Sequence, residues 1–308
     1  MPKPPAPHRP RPSTRTRARW NSSDVVLAAT LHDPAGSLAS EIRRWLPRLE
    51  RGYSSVVVAT SPGTSPKINA ILEEHGVFIG TREANDRGPL YRLSIRRALA
   101  EPGNRVHYLD FDRALHWARG PMDELEMVLA RAPQHPVLLV GRTRSAHTSH
   151  QKALVVTETE TNRYLADGLG VTGRVDFMVP SFILDKDSAK RFLAGSRTRG
   201  MGIYGEMARL LFSLGHDVAY VECDGLDWET PDRDRRVVSR IGLPAYRARF
   251  DRDDEWELRH SLKREVESVF DRARDRLGEA HAGMRRLRLP APALSARSLS
   301  RAAGSLAI

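Results

Sequence analysis

The chain has 308 residues, 40% of them hydrophobic and 28% charged, which is typical of a globular protein with one large or two small domains. No apolar run approaches the ~18 residues that span a bilayer, no apolar signal segment opens the chain, and the single cysteine excludes an internal disulfide or a multi-cysteine zinc site. The missing signal segment and the single cysteine favour a cytoplasmic protein. The net charge of +11 is carried by the two ends, so the body is formally neutral, which argues against a specific nucleic-acid partner.

Composition divides the chain into four parts. Residues 1–22 form a basic, proline-rich tail that is predicted to be disordered, and residues 283–308 form a second basic, flexible tail. Such ends are commonly just solvated; peripheral contact with anionic membrane lipids is the alternative. Between the tails we expect one α/β domain over residues 23–250 and a charged C-terminal helix over residues 251–282.

Strands and helices alternate through the first 145 residues, with short connections between them. Four continuous apolar runs predict strands buried on both faces, at 25–30, 54–60, 76–80 and 136–141. This alternation favours a mixed, mainly parallel sheet flanked by helices. Right-handed crossovers would gather the carboxyl ends of the strands at one edge, where open α/β sheets bind ligands. The residues expected at that edge are Thr30, Ser61, Arg82 and Asp110.

Two aspartates follow a further apolar run that ends at Leu109. Asp110 and Asp112 are spaced i, i+2, so in an extended segment both side chains face the same side. We expect a short loop after them and then a helix opened by Pro121. Two neighbouring carboxylates repel unless a proton, a cation or an arginine lies between them, and a divalent ion shared with substrate phosphates is the usual functional answer. The pair therefore predicts a nucleotide-sugar site.

The tripeptide Asp-x-Asp is not specific by itself, because it occurs three more times. Asp185 and Asp187 precede a helical pattern and are better explained as a helix N-cap and a first-turn acid. The copies at 232/234 and 251/253 lie in polar stretches and are predicted to be solvated. Only the pair after Leu109 follows a buried strand without such an explanation.

The second half is less regular. Residues 151–169 predict a helix, and 174–184 predict a strand in which Pro180 forces an edge position or a bulge. A glycine-rich segment at 200–205, expected to be flexible, leads into a helix at 206–214 and a strand at 217–223. Apolar positions on one side of 255–282 predict a long helix with a solvated charged face, running from Leu258 to Leu277.

With these elements in place, the chain resembles the nucleotide-sugar glycosyltransferases of the GT-A fold, in particular the family 2-like enzymes. The matching features are an apolar first strand, a second strand that ends at Thr60-Ser61, the strand end Leu109-Asp-Phe-Asp112, and a glycine-rich segment that brings Glu206 into a helix. The resemblance covers roughly residues 24–230. Three family features differ: Ser61-Pro-Gly-Thr-Ser replaces Asp-Asp-Gly-Ser, no Gln-x-x-Arg-Trp follows, and a single acid stands where the family has a pair.

The resemblance implies transfer of a sugar from a nucleoside-diphosphate sugar to the hydroxyl of an unknown acceptor. Asp112 would bind Mn²⁺ or Mg²⁺, and Asp110 would share the ion or contact the ribose. Glu206 would be a general base, with a first-turn helix acid as the structural alternative. The remaining implied residues are Thr30, Ser61, Arg82 and Arg87 on the donor, and Asp227 or Asp224 as a further metal ligand.

Other protein classes have weaker support in the sequence. A non-catalytic nucleotide-binding relative would keep the same sheet. A sugar nucleotidyltransferase would carry a basic, glycine-rich loop after the first strand, whereas residues 31–36 contain neither Lys nor Arg. The G-x-x-x-x-G-K-[ST] motif of phosphate-binding NTPases does not occur.

Overall fold

The computed structural model describes residues 24–80, 86–120, 122–214 and 218–277, so both predicted tails lie outside the described part. Seven strands form one sheet. Their bounds are β1 Val25–Leu31, β2 Ser55–Thr60, β3 Phe78–Gly80, β4 Arg105–Tyr108, β5 Val137–Arg142, β6 Phe182–Asp185 and β7 Val218–Cys223. The strand order is β3-β2-β1-β4-β6-β5-β7.

Helices cover both faces of the sheet. In chain order they are α1 Ala39–Gly52, α2 Pro66–Glu74, α3 Arg87–Ala98, α4 Phe111–Arg119, α5 Met122–Arg131, α6 Arg144–Thr148, α7 Lys152–Leu169, α8 Lys186–Gly195, α9 Ile203–Ser213, α10 Arg235–Ile241, α11 Leu243–Ala248 and α12 Asp253–Leu277. Two short 3-10 helices lie at Ala132–Gln134 and Thr230–Asp232. None of the helices in these ranges is long and apolar enough to cross a membrane.

All strand pairs are parallel except those of β6, which runs antiparallel to both of its neighbours, β4 and β5. The predicted mixed, mainly parallel sheet is thus confirmed. β1 is an interior strand, and all seven of its residues are buried. Its side chains alternate between two apolar clusters, one on each face, as the period of two in a strand requires. Because both faces of the sheet are apolar, helices cover both of them. Since β1, β2 and β4 are parallel, their carboxyl ends lie at the same edge of the sheet.

The prediction of a short loop after the two aspartates is wrong. α4 begins at Phe111, directly after Asp110, and continues to Arg119. Phe111, Ala114, Leu115 and Ala118 are buried at helical spacing, which is the signal for a helix. Asp112 therefore lies in the first helical turn and not on an extended segment.

The predicted strand at 174–184 is also shorter than expected. Only Phe182–Asp185 pairs as β6, and it is an interior strand rather than an edge strand. Pro180 has no N–H to give to a ladder, so pairing begins after it. Asp185 accepts a hydrogen bond from the backbone N of Ser188 at 2.7 Å, which confirms its predicted N-cap role.

α12 packs against α7 and α9. Val266 and Phe270 are buried as predicted, whereas Leu258 is 50% exposed and does not belong to the buried side. The glycine-rich segment before α9 is closely packed rather than free: a Cβ on Gly205 would lie 2.2 Å from the carbonyl oxygen of Val266. The glycines thus permit the close approach of two helices.

Candidate functional site

Two adjoining cavities open at the carboxyl edge of the sheet, and three residues line both of them: Arg87, Asp110 and Asp112. The first, here the β1-side cavity, has a volume of about 260 Å³ and is completed by Thr30, Leu31, His32, Leu90 and Arg233. The second, the α12-side cavity, has a volume of about 170 Å³ and is completed mainly by α7, α12 and the segment 228–230. The two aspartates stand where the cavities meet.

Asp110 occupies the N-cap position of α4, but its side chain makes no capping hydrogen bond. Its Oδ1 instead accepts hydrogen bonds from the hydroxyls of Tyr108 at 3.1 Å and Thr30 at 3.2 Å, while Arg87 Nη1 lies 3.3 Å from Oδ2. Burial raises the pKa of Asp110, Arg87 opposes this shift, and the neighbouring charge of Asp112 adds to it. The carboxylate is therefore turned towards the cavities, and a nearby cation would stabilise its charged form.

Asp112 is partly exposed and is held in place from two sides. Its Oδ1 accepts the backbone N–H of Arg113 at 2.9 Å, and its Oδ2 lies 2.8 Å from Arg233 Nη2. Arg233 also reaches the buried Asp33, with Nη1 at 3.3 Å from Oδ1. The sequence did not identify Arg233, because nothing in its neighbourhood distinguishes it from the other arginines of a polar stretch.

The α12-side cavity collects buried polar atoms that have no hydrogen-bond partner among the described residues. Its lining residues contribute Arg113 Nη1, His150 Nε2, Gln151 Oε1, Trp228 Nε1 and Glu229 Oε2. His150 Nε2 and Glu229 Oε2 are 3.6 Å apart, too far for a hydrogen bond. Such atoms are destabilising unless a water or a ligand satisfies them. The residues that line the cavity therefore include both donors and acceptors whose hydrogen bonds are not made within the protein.

Glu229 is an acid of this cavity whose side chain is only 12% exposed. Burial alone would raise its pKa, but the guanidinium of Arg113, whose Nη2 lies 3.4 Å away, and the imidazole of His150 hold the pKa well below its usual range. Glu229 is thus an ionised acceptor at neutral pH. The segment 224–231 is polar and acidic in the sequence, and this composition was the one available signal for Glu229.

The structure brings together several of the predicted donor-site residues and separates others. Thr30, Arg87, Asp110 and Asp112 line the β1-side cavity. Ser61 lies one layer behind it, with its Oγ 2.6 Å from Nδ1 of His32, which does line the cavity. Arg82 lies outside the described residues.

The two residues suggested as a further metal ligand lie elsewhere. Neither Asp224 nor Asp227 lines either cavity. Asp227 Oδ1 is 2.6 Å from Nε2 of His116, and Asp224 accepts a hydrogen bond from the hydroxyl of Thr143. The structure therefore does not place them beside the two aspartates of the cavities.

Glu206 is likewise separate from both cavities. Its buried carboxylate accepts hydrogen bonds from the Ser196 hydroxyl at 2.8 Å, from the backbone N–H groups of Arg197 and Thr198, and from Arg276 Nη2 at 2.6 Å. Burial would raise its pKa, but these donors, Arg276 first, lower it below the usual value. Glu206 lies in the first turn of α9, as the structural alternative has it, and its carboxylate also joins the loop at 196–198 to α12.

The donor set at the cavity junction is compatible with a divalent ion that shares its coordination with a substrate. Within the described residues, no group of three or more His, Cys, Asp and Glu side chains is arranged to hold a metal. Mg²⁺ and its analogues are, however, commonly bound by one or two carboxylates together with phosphate oxygens and waters. Asp110 and Asp112 supply that number of carboxylates. A metal held here would depend on a phosphate for the rest of its coordination.

Comparison with known proteins gives structural neighbours only. The chain matches no protein-family model and no curated protein. It is similar to mannosyl-3-phosphoglycerate synthase from Rubrobacter xylanophilus, at 14% identity over 74% of each chain with a TM-score of 0.49. It is also similar to glucosyl-3-phosphoglycerate synthase from Mycobacterium tuberculosis in complex with Mn²⁺, UDP-glucose and phosphoglyceric acid, at 11% identity over 85% of each chain with a TM-score of 0.49. The similarity lies in the path of the backbone. Mn²⁺, UDP-glucose and phosphoglyceric acid are ligands of the Mycobacterium tuberculosis enzyme.

Proposed function

We propose that the chain is a glycosyltransferase that moves a sugar from a nucleoside-diphosphate sugar to an acceptor hydroxyl, with Mn²⁺ or Mg²⁺ at Asp110 and Asp112. One observation carries this proposal: the two aspartates lie at the junction of two cavities on the carboxyl edge of a mainly parallel sheet. Open α/β sheets bind ligands at that edge. A donor of this class has a nucleoside and a sugar on either side of a diphosphate, and the two cavities match that division.

The diphosphate is assigned to the junction. Arg87 lies there and Arg233 lines the adjoining β1-side cavity, and each can donate two parallel hydrogen bonds to phosphate oxygens. Asp110 and Asp112 supply carboxylate oxygens for the metal. When bound, the metal stabilises the charge that develops on the leaving diphosphate, as a Lewis acid does.

The nucleoside is assigned to the β1-side cavity and the transferred sugar, with the acceptor hydroxyl, to the α12-side cavity. The β1-side cavity offers Leu31, Leu90 and His32, which suit a planar base and a ribose. The α12-side cavity offers the unpartnered atoms of Gln151, His150 and Glu229, which suit hydroxyl groups. Glu229 orients a hydroxyl by accepting its hydrogen bond. Glu206 has no part in this scheme because its carboxylate lies outside both cavities.

Thermal unfolding of the full chain tests the proposal, because a ligand that binds only the folded state raises the melting temperature. UDP, GDP and their sugars are compared with and without Mn²⁺. We expect a shift that needs nucleotide and metal together and that is lost in Asp112→Asn. Asp187→Asn is the matched control, since Asp187 ends another Asp-x-Asp and its side chain is 81% exposed in the first turn of α8.

The same preparation separates the alternatives. Slow release of free UDP or GDP from the sugar nucleotide that binds supports a transferase, since water can replace the acceptor. Binding without any such release over a long incubation supports a non-catalytic relative. Formation of pyrophosphate from a nucleoside triphosphate and a sugar phosphate would instead identify a nucleotidyltransferase. If no nucleotide raises the melting temperature, the donor-site assignment is wrong.

A further inference from the structure

The guanidinium of Arg233 occupies the position beside Asp112 that a bound metal ion would take. Its guanidinium bridges two carboxylates, with Nη2 at 2.8 Å from Asp112 and Nη1 at 3.3 Å from Asp33, and its side chain is only 26% exposed. Both carboxylates raise the pKa of Arg233 against the opposing effect of burial. Without a metal, this guanidinium supplies the positive charge that Asp112 needs.

The two carboxylates differ in what else holds them. Asp33 is almost fully buried and accepts three further hydrogen bonds, from the backbone N–H and hydroxyl of Ser37 and from the backbone N–H of Leu38. Its orientation is therefore determined by the start of α1. Asp112 has a single further donor, the backbone N–H of Arg113. Asp112 is thus the partner that can exchange Arg233 for another cation.

The backbone that carries Arg233 is anchored independently of its side chain. Asp232, the preceding residue, was predicted to be solvated but is buried, and it pairs with His116 at 2.6 Å and with Arg119. Arg233 lines the β1-side cavity, and its guanidinium contacts Asp112 at the junction, next to the proposed position of the diphosphate. A rotation of the side chain alone can therefore move the charge from Asp112 to a phosphate oxygen in the same cavity.

We infer that Arg233 is an internal counter-ion that excludes the divalent metal from Asp112 until a nucleoside diphosphate binds and takes the guanidinium. This inference rests on the proposed function. A metal without nucleotide must displace Arg233 and leave it with Asp33 alone. A diphosphate gives Arg233 a new anionic partner, so nucleotide and metal strengthen each other's binding by the same factor.

Binding of Mn²⁺ to the full chain tests this directly, measured from the electron paramagnetic resonance signal of the free ion, with and without UDP or GDP. We expect Arg233→Met to bind Mn²⁺ alone about tenfold more tightly than the unaltered chain, and to show a smaller gain on addition of nucleotide, in the usual range of such couplings. Arg236→Met is the control, because Arg236 is exposed on α10 and is not among the residues that line the cavities.

Arg233→Lys provides a second variant that keeps the charge but cannot bridge two carboxylates with a planar fork. It is expected to bind Mn²⁺ alone with an affinity between those of the unaltered chain and Arg233→Met. Melting temperatures without ligand verify that each variant is folded. Equal Mn²⁺ affinities in all four proteins would overturn the inference, as would an undiminished nucleotide effect in Arg233→Met.

Failure of the proposed function gives a different result. In that case neither UDP nor GDP changes Mn²⁺ binding to the unaltered chain, and the coupling part of the inference fails with it. The Mn²⁺ affinities of the variants measured without nucleotide still decide whether the guanidinium of Arg233 competes with the metal for Asp112.

Discussion

Nδ1 of His116 lies 2.6 Å from Oδ2 of Asp232, and its Nε2 lies 2.6 Å from Oδ1 of Asp227. One imidazole from α4 thus joins both ends of the segment that carries Trp228 and Glu229 to the α12-side cavity. Since α4 begins directly after its N-cap residue Asp110, the same helix positions the two aspartates and the segment opposite them. A histidine that does not line the site thus connects the elements that form it.

The first prediction concerns the pH dependence of stability. Burial lowers the pKa of His116, but the hydrogen bonds to Asp227 and Asp232 outweigh it and raise the pKa to about 9. The folded state therefore binds the proton more tightly than the unfolded chain, in which the pKa is about 6.5. The stabilisation, about 3 kcal/mol at most, is complete below pH ~6.5 and is lost as the pH rises through ~9. Urea unfolding between pH 6 and 10 measures it, and His116→Gln should flatten this part of the profile; an unchanged profile would contradict the prediction.

The second prediction concerns Glu206, which the sequence suggested as a base. Glu206→Gln should lower the free energy of unfolding by about 2 kcal/mol, because hydrogen bonds to a charged group are weakened. Nucleotide and metal should still stabilise the variant. Combining it with Arg276→Gln in a double-mutant cycle should give a coupling energy, since the two groups are 2.6 Å apart. A variant with normal stability and a rate of sugar transfer reduced a hundredfold or more would restore the catalytic interpretation.

The third prediction concerns a buried cation under the α12-side cavity. Arg142 is fully buried, with Nε 2.7 Å from Asp176 and Nη2 2.5 Å from Glu158, which lines that cavity. Arg142→Leu leaves two carboxylates without their counter-charge, so we expect a loss of about 3–5 kcal/mol in unfolding free energy. Arg163→Leu, in an exposed pair with Asp167, should change stability by less than about 0.5 kcal/mol. Equal effects of the two substitutions in urea unfolding would show that the buried triad contributes little.

The fourth prediction concerns the glycine that follows Arg87. A Cβ on Gly88 would lie 1.9 Å from the carbonyl oxygen of Thr198, so Gly88→Ala must displace the start of α3. We expect a loss of about 1–3 kcal/mol in stability. Because Arg87 moves with the start of the helix, the stabilisation by nucleotide and metal should also weaken. Gly52→Ala is the control, since a Cβ there meets only Met122 at 3.6 Å; a Gly88→Ala variant that behaves like it would refute the packing argument.

Strands buried on both faces could be predicted from the sequence, because continuous apolar runs such as the one in β1 leave little alternative in a chain of this composition. The edge at which Thr30 and Asp110 meet followed from the handedness of crossovers. The direction of β6 could not be predicted, because an apolar run carries no information about which way it pairs. Its length was overestimated because Pro180 was treated as a distortion within the strand rather than as its limit.

The site could be predicted only where residues follow a strand directly. Asp110 and Asp112 were found in this way, although the extended geometry assumed for them was replaced by the start of α4. His150, Glu229 and Arg233 were missed, because they reach the cavities through tertiary contacts between segments far apart in the chain. Glu206 was selected by resemblance, and its surroundings depend on α12, which the resemblance did not cover.

Because β6 runs antiparallel to β4, the Asp-x-Asp motifs at the ends of these two strands lie on opposite rims of the sheet. Asp185 pairs with Arg105, at the beginning of β4, whereas Asp110 follows the end of the same strand. Two Asp-x-Asp tripeptides, each at the carboxyl end of a buried strand, therefore emerge at opposite rims of one sheet. The sequence motif alone does not distinguish them. The direction of the strand before each tripeptide does: Asp110 and Asp112 line the cavities, whereas Asp185 caps α8 at the other rim.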